Sequence, residues 1–343
     1  MVMEGKRTRT LAAIAAILAT WMIAAGPVRA DDAEAKPACG TSITACGCTI
    51  NKGGTYTVAN NLDASQGLTQ QGDCIDVAAP FVELNVNSFT VIGNGTGDGI
   101  RVLPAAHNTI IEGATPGASG QAVINGWNVG VMVGANSTVV EHFNPIGGTG
   151  KDGDTKGNVS AGIVIQGVSD CTADGIISAY NGTGALVANS SRVRIFNFTA
   201  TQSDGSGIQV QNSSAGTFLN MSATNNGLYG MVLLNSDQNQ ISDFGATDNG
   251  AAGISVGCDP HGPVTCPGNR QPSARNKVSN GGANTNGRPG LVINAGSSNN
   301  QVTAVSASGN NKGGSDLSDQ NPNCDKNQWF TNTFGSASPS CIH

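Results

Sequence analysis

The sequence is poor in charged and aromatic side chains, which make up 12 % and 4 % of its 343 residues. Lys and Arg together number 17 against 23 Asp and Glu. This balance argues against a nucleic-acid partner, because binding to phosphate backbones requires a basic surface. After residues 11–25 no apolar run is long enough to cross a bilayer, so no membrane span is predicted. What the chain has instead is glycine, 48 residues of it, with many Asn, Ser and Thr.

The first thirty residues have the pattern of a secretory signal peptide. Lys6, Arg7 and Arg9 form a basic start, residues 11–25 are mostly apolar, and small residues stand at positions 28 and 30. We therefore expect residues 1–30 to be removed and residues 31–343 to be secreted, to the extracellular space or the periplasm. Without the four basic and one acidic residues of that segment, the net charge is −9. Such a surface disfavours polyanionic glycans unless basic residues cluster locally.

Secretion also favours disulfides among the nine cysteines. Four lie near the N-terminus, at positions 39, 46, 48 and 74. Cys258 and Cys266 bracket one loop, and Cys324 and Cys341 bracket the tail. The odd number leaves one cysteine over, and Cys171 is the expected free thiol because no other cysteine is near it.

A glycine followed by an apolar–any–apolar triplet recurs at a nearly fixed interval. The glycines of the regular run are 22, 23, 23 and 23 residues apart, at Gly162, Gly184, Gly207, Gly230 and Gly253. Earlier copies begin at Gly99 and Gly130 and a later one at Gly290. A period in the low twenties indicates a stacked array of repeats, in which each repeat can bury its apolar residues only against its neighbours.

Each repeat has the composition of short strands. The first and third residues after the glycine are apolar, a period of two that predicts a strand with one buried face. A second strand is predicted to end at Ile195, Phe218, Ile241 and Val278 in successive repeats. Strands of this length, separated by Gly, Asn and Ser turns, fit one coil of a parallel solenoid with coils about 4.8 Å apart. In such a stack, Asn side chains at equivalent positions can satisfy one another as amide ladders, and the recurring glycine suits turn conformations closed to other residues.

These strands, turns and spacing resemble the right-handed parallel β-helix of the pectin-lyase-like superfamily, and most of all its secreted parallel-β-helix-repeat members. The resemblance covers about residues 75–320. It implies an all-β, right-handed parallel β-helix solenoid of about eleven coils in a single domain. Residues 31–90 would form the N-terminal cap and first coils, residues 91–318 the regular coils and residues 319–343 the C-terminal cap. The superfamily includes lyases, hydrolases, epimerases, adhesins and proteins without known activity, so the fold alone does not give the function.

Asp259-Pro260-His261 is the motif most specific to one chemistry, and it lies in an insertion at residues 257–276. Superfamily members that epimerise mannuronate in alginate carry an Asp-Pro-His motif beside an aromatic residue. The resemblance implies that His261 and a tyrosine would exchange the C5 proton while Asp259 neutralises or orients the uronate. Here Gly257 and Cys258 precede the motif, and no tyrosine is near in sequence. A structural disulfide loop is the alternative interpretation.

A second insertion, at residues 144–158, suggests calcium. Asp152 and Asp154, with Asn158, offer oxygen ligands. Lyases of the superfamily hold calcium with carboxylates on adjacent coils and use Arg or Lys as base, and Asp174 lies at the same distance before its glycine as Asp152. Arg192 and Arg194 would then follow one coil further on. A solvated Gly/Asp turn is the alternative. Hydrolases of the fold use several outward-facing aspartates with Gly-His-Gly and Arg-Ile-Lys motifs, and this sequence contains neither motif.

The residue two positions after each glycine should face outward. In order along the rod these residues are Arg101, Met132, Val164, Leu186, Gln209, Val232, Ser255 and Val292. If uncovered, the apolar members would form an apolar strip, which usually marks a ligand or partner surface. The alternative is that a loop covers it.

Three functional classes follow from the sequence. The first is a non-catalytic protein that binds a glycan or a surface partner along one sheet, through Met132, Val164, Leu186 and Val232 with the two arginines above. The second is a polysaccharide lyase or uronate epimerase. The third is a structural envelope protein. No cofactor is firmly implied, and calcium is the one candidate. A cluster of Asp259 and His261 with an arginine or tyrosine would favour the enzyme.

Overall fold

A computed structural model describes residues 36–64, 72–114, 122–148, 157–259 and 272–343. In these ranges the chain forms two parallel sheets, which we name sheet 1 and sheet 2. Sheet 1 has 12 strands: β2 (Cys48–Ile50), β5 (Ile75–Val77), β8 (Asp98–Val102), β11 (Val129–Val133), β14 (Ala161–Gln166), β16 (Thr183–Ala188), β18 (Ile208–Gln211), β20 (Met231–Leu234), β22 (Ile254–Val256), β24 (Leu291–Ile293), β26 (Leu317–Asp319) and β29 (Ala337–Ser338).

Sheet 2 has 17 strands: β1 (Ser42–Ile43), β3 (Gly54–Val58), β4 (Leu62–Asp63), β6 (Val82–Asn85), β7 (Thr90–Ile92), β9 (Ile110–Glu112), β10 (Val123–Asn125), β12 (Val139–Glu141), β13 (Ile146–Gly147), β15 (Thr172–Ala179), β17 (Arg194–Thr201), β19 (Thr217–Thr224), β21 (Gln240–Thr247), β23 (Lys277–Asn284), β25 (Gln301–Ser308), β27 (Gln328–Phe330) and β28 (Thr333–Phe334). Two short 3₁₀ segments, Asn311–Gly313 and Pro322–Cys324, lie near the C-terminus.

The strands stack coil upon coil in the register that the sequence predicts. Ile208 of β18 pairs with Ala185 of the preceding coil and with Met231 of the next. The inward residues of both sheets meet in one continuous core, to which the side chains of Ile208 and Phe218 contribute with no exposed surface. The expected parallel β-helix is therefore confirmed. The strands of sheet 2 in the regular coils are eight residues long and bend at a residue of positive φ, such as Asn197 at 48°.

The repeated glycine is explained by close approach between coils. Gly207 does not have a positive φ, but a Cβ added there would lie 2.7 Å from the carbonyl oxygen of Gly230 in the next coil. It would also lie 2.8 Å from Nδ2 of Asn226. A Cβ added at Gly230 would likewise lie 2.5 Å from the carbonyl oxygen of Gly253. The expectation that these glycines serve special turn conformations is wrong, because what they supply is room for the neighbouring coil.

Ladders of polar side chains run between the sheets. Inside the rod, Nδ2 of Asn226 donates to Oδ1 of Asn249 at 3.0 Å, and Asn249 donates in the same way to Asn286. On the surface, Asn235 donates to Asn212 and Asn212 to Asn189. The predicted amide ladders are thus present, and the internal ones satisfy buried backbone groups at the turns, which would otherwise be costly.

Disulfides join residues at both ends of the rod. Cys39 bonds to Cys48, Cys46 to Cys74, and Cys324 to Cys341. Cys171 is buried and free, as expected. Cys258 is also disulfide-bonded, and Cys266, its expected partner, lies outside the described residues. Searched over the described ranges, the structure contains no helix of the length and apolarity that a membrane span requires.

Candidate functional site

The outer surface of sheet 1 carries the residues that the sequence predicted to face outward. They are direct neighbours from strand to strand: Met132 pairs with Arg101 on one side and Val164 on the other, and the column continues through Leu186 to Val292. They form two apolar clusters that are separate from the core of the rod.

The column is not an uncovered apolar strip. Val164 is 4 % exposed and Val232 1 % exposed, while Met132 and Leu186 are half-buried. Val232 and Val292 lie in a cluster with Tyr229 and Cys258. Since Cys258 follows β22 after a reversal at Gly257 (φ 88°), the chain leaving β22 lies over the outer surface of sheet 1. This explains why Val232 and Val292, which face away from the core, are nevertheless buried. Val164 packs instead with Val129 and Ala161.

An ion pair lies where this segment crosses the sheet, next to the cluster that contains Tyr229 and Cys258. Asp259 Oδ2 accepts a hydrogen bond from Arg288 Nη1 at 2.7 Å. The Asp259 side chain is only 11 % exposed, whereas that of Arg288 is 41 % exposed. Tyr229, 2 % exposed, is close enough for its ionisation to respond to both charges. Tyr229 stands before β20 and Arg288 before β24, and β22 lies between these strands in sheet 1.

The environment of Tyr229 keeps its hydroxyl protonated. Burial, followed by the negative charge of Asp259, raises the pKa of Tyr229 to about 12, and Arg288 opposes this only in part. At neutral pH the hydroxyl therefore keeps its proton. Arg288 supplies a planar cation suited to a carboxylate. The sequence showed no tyrosine near Asp259, because Tyr229 reaches it across the stack from an earlier coil.

His261, Asp152 and Asp154 fall outside the described residues. Asn158 is 2 % exposed, and its amide serves an internal ladder through Trp127 and Asn181, so it is not available to an ion.

The remaining predicted residues belong to sheet 2 and the turn before it. Asp174 pairs with Glu141 in sheet 2 and accepts from Asn197 at 2.8 Å. Arg192 forms a two-pronged ion pair with Asp170, and Arg194 is exposed at the start of β17. Neither arginine joins the column on sheet 1.

A buried group of aspartates near the N-terminal end was not foreseen. Asp73, Asp76 and Asp98 are each 9 % exposed or less. Lys36 Nζ lies 2.7 Å from Asp76, and Arg101 Nη1 lies 3.3 Å from Asp73. Burial, more than the neighbouring carboxylates, raises the pKa of Asp98 to about 7, and burial also raises that of Asp76. Hydrolases of the fold were expected to show such outward aspartates, but the sequence spacing did not reveal that three of them converge.

This cluster predicts a specific pH dependence of stability. Because the folded state holds the Asp98 proton up to about pH 7 while the unfolded state loses it near pH 3.8, stability falls as the pH rises through that window. Asp98→Asn should flatten this decline and raise the free energy of unfolding at about pH 8 by about 2–4 kcal/mol. Urea denaturation across the pH range tests this, with exposed Asp204→Asn as the control. An unchanged slope in Asp98→Asn would contradict it.

Comparisons with known proteins agree with the architecture. The Beta_helix family model, described as right handed beta helix region, matches residues 161–334, about half of the chain. No curated protein matches the chain. A mutant of the periplasmic alginate epimerase AlgG superposes with a TM-score of 0.50 at 13 % identity, over 80 % of this chain and 77 % of that one. Dettilon tailspike protein (gp208) superposes with a TM-score of 0.51 at 13 % identity, over 85 % of this chain but only 54 % of the tailspike, so the chain spans about half its length. At such identities the likeness shows the fold alone.

Proposed function

The chain belongs to the right-handed β-helix family, and we propose that it is an exported protein that binds a uronate-containing polysaccharide on the outer surface of sheet 1. The observation that carries this proposal is the Arg288–Asp259 ion pair on that surface, beside the cluster of Tyr229 and Cys258. Arg288 is the residue through which a sugar carboxylate would be held, since guanidinium pairs with carboxylate through two parallel hydrogen bonds.

The setting of the cluster supports a sugar ligand. Half-buried Met132 and Leu186 lie on the same face and offer apolar contact to sugar rings. The chain as a whole is acidic, so a local cation is needed before a polyanion can bind. The superposed epimerase acts on alginate, which is consistent with a uronate polymer. Three described disulfides favour an oxidising compartment, in accord with the expected export.

Catalysis at the same place is a second candidate function, favoured by the position of the protonated Tyr229 beside Cys258 and the Asp259–Arg288 pair. Epimerisation at C5 of a uronate removes a proton on one face of the ring and returns one from the other, and it needs the carboxylate neutralised. In this proposal Arg288 neutralises the carboxylate, Asp259 orients Arg288, Tyr229 donates the proton and His261 removes one. If the bond to O4 breaks instead of the proton returning, the product is an unsaturated sugar, as in a lyase.

A proton NMR time course with the mature protein, calcium and a panel of uronate and neutral polysaccharides tests both functions. Changes in the anomeric region report epimerised residues and unsaturated ends together. New signals that disappear in His261→Ala but persist in the control His107→Ala would support the enzyme. Selective broadening by uronate polymers without new signals would support binding alone. Neither change with any uronate polymer would contradict the proposal and leave a structural role in the envelope.

A further inference from the structure

Glu112, Glu141 and His142 come together on the outer face of sheet 2, away from the site proposed above. Glu112 ends β9 and Glu141 ends β12, and the two residues are direct partners in the parallel ladder. One ligand atom of each of the three side chains lies within 4.8 Å of the others. Each zinc–ligand bond is about 2.1 Å long, so ligands of one ion stand about 3–4 Å apart. Rotation of the two glutamate side chains brings their carboxylate oxygens within this distance of the imidazole nitrogen.

The imidazole has an atom without a partner. His142 Nδ1 is buried and accepts or donates no hydrogen bond. Its nearest acidic atom is Glu112 Oε1 at 3.7 Å, too long for a hydrogen bond. The residue is held on both sides: the backbone N–H of His142 donates to the backbone carbonyl of Asp174 at 3.0 Å, and the ring atom Cδ2 packs over Gly175, where an added Cβ would lie 3.2 Å from it. A buried ring nitrogen that points into a carboxylate pair without bonding is an incomplete arrangement in the protein alone.

The charges of the cluster are also unbalanced. Glu112, Glu141 and Asp174 occupy successive positions of one column, and like charges directly opposite in a ladder are destabilising. Within the described ranges neither glutamate pairs with a lysine or arginine. By contrast, four aspartates of the described chain each have an arginine partner, namely Asp73, Asp170, Asp237 and Asp259.

We propose that Glu112, Glu141 and His142 bind a divalent first-row transition ion of the zinc type, which joins two adjacent coils of sheet 2. Carboxylate oxygens with an imidazole nitrogen suit zinc or cobalt, whereas calcium prefers an all-oxygen set. The side chains of Glu112 and His142 are 21 % and 32 % exposed, so solvent can reach the ion and fill its remaining position. Asp174, predicted from the sequence as a calcium ligand, holds the backbone of His142 instead of completing the trio.

Calorimetric titration of the EDTA-treated mature protein with Zn²⁺ tests the proposal. We expect one ion per chain, binding at least about tenfold more tightly than Ca²⁺, and a visible absorption band when Co²⁺ replaces zinc. His142→Asn should weaken Zn²⁺ binding at least about tenfold and remove the Co²⁺ band. Asparagine suits this position because it tolerates the positive φ of 61°. Glu141→Gln, which leaves the imidazole in place, should have the same effect.

Matched controls separate this site from other ligands. Glu83→Gln alters an exposed carboxylate of the same sheet one coil earlier, and His261→Ala removes the histidine of the other site, so both should bind Zn²⁺ as the wild type does. Equal melting temperatures of the variants in EDTA show that folding is intact. Absence of stoichiometric Zn²⁺ binding, or binding that survives both His142→Asn and Glu141→Gln, would overturn the proposal. Its failure would leave the polysaccharide site untouched.

Discussion

Arg288→Ala should weaken binding to uronate oligosaccharides by about 30-fold or more and leave neutral oligosaccharides unaffected. Truncating one partner of a hydrogen-bonded charge pair between binding partners costs about 2–5 kcal/mol, and Arg288→Ala deprives the sugar carboxylate of its cation. Because the Arg288 side chain is 41 % exposed, we expect the lower end of this range. Isothermal titration with defined uronate oligomers measures the change. Arg288→Lys keeps the charge but loses the planar two-pronged geometry. We therefore expect its affinity to lie between those of the wild type and Arg288→Ala.

The chain offers a close control for this experiment. Arg275 pairs with Asp237 at 3.1 Å, but both side chains are well exposed, at 56 % and 38 %, and both lie away from Tyr229. Arg275→Ala therefore removes the same kind of side chain without touching the candidate site. Equal affinity losses in the two variants, or unchanged affinity in Arg288→Ala, would refute a specific role for Arg288.

Asn249→Leu should lower the free energy of unfolding by about 3–5 kcal/mol, the largest effect on stability that we predict. The Asn249 amide accepts from the N–H and Nδ2 of Asn226 and donates to the carbonyl of Ala223 and to Asn286, all at 3.0–3.1 Å. Leucine has a similar volume but makes none of these bonds, and each buried polar group left without a partner costs about 1–3 kcal/mol. Urea denaturation monitored by circular dichroism measures the loss.

Gln240→Leu provides the comparison for Asn249→Leu. Gln240 lies on β21 of the same coil, but its side chain is exposed and takes no part in an internal ladder. Substitutions at such positions usually change stability by less than about 0.5 kcal/mol. If Asn249→Leu were as mild as Gln240→Leu, the internal ladder would contribute little to holding the coils together.

The fold could be predicted because its signal is repeated. Eight coils supply the same glycine and inward pair, so an error at one of these coils is corrected by the others. Boundaries within the coil were harder to predict. The second strand was expected to end at Ile195 and Phe218, yet these residues stand near the starts of eight-residue strands. The bend at Asn197 allows one strand to turn a corner without ending, and local composition alone does not distinguish a bend from a turn.

The candidate sites were less predictable because they join residues of different coils. Asp259 was identified from a motif, but its partners Tyr229 and Arg288 lie about one coil to either side of it. The three buried aspartates and the Glu112–Glu141–His142 trio left no motif at all. A signal was available for the trio: once the register is known, Glu112 and Glu141 must stack. That register depends on the irregular early coils, where the glycines at positions 99, 130 and 162 are 31 and 32 residues apart instead of 22 or 23.

The hydrogen bonds that stack one coil on the next do not depend on how many residues the coil contains. Ser213 and Ser236 are 23 residues apart, and their ladder bond is 3.2 Å long; Ser236 and Ser273 are 37 residues apart, and theirs is 3.1 Å. The additional residues after β22 do not disturb the hydrogen bonds between that coil and the next. A loop between two strands can therefore be lengthened, shortened or exchanged without changing the stacked strands of the solenoid. New binding properties can arise in such a protein by changing one excursion while the inherited scaffold stays the same.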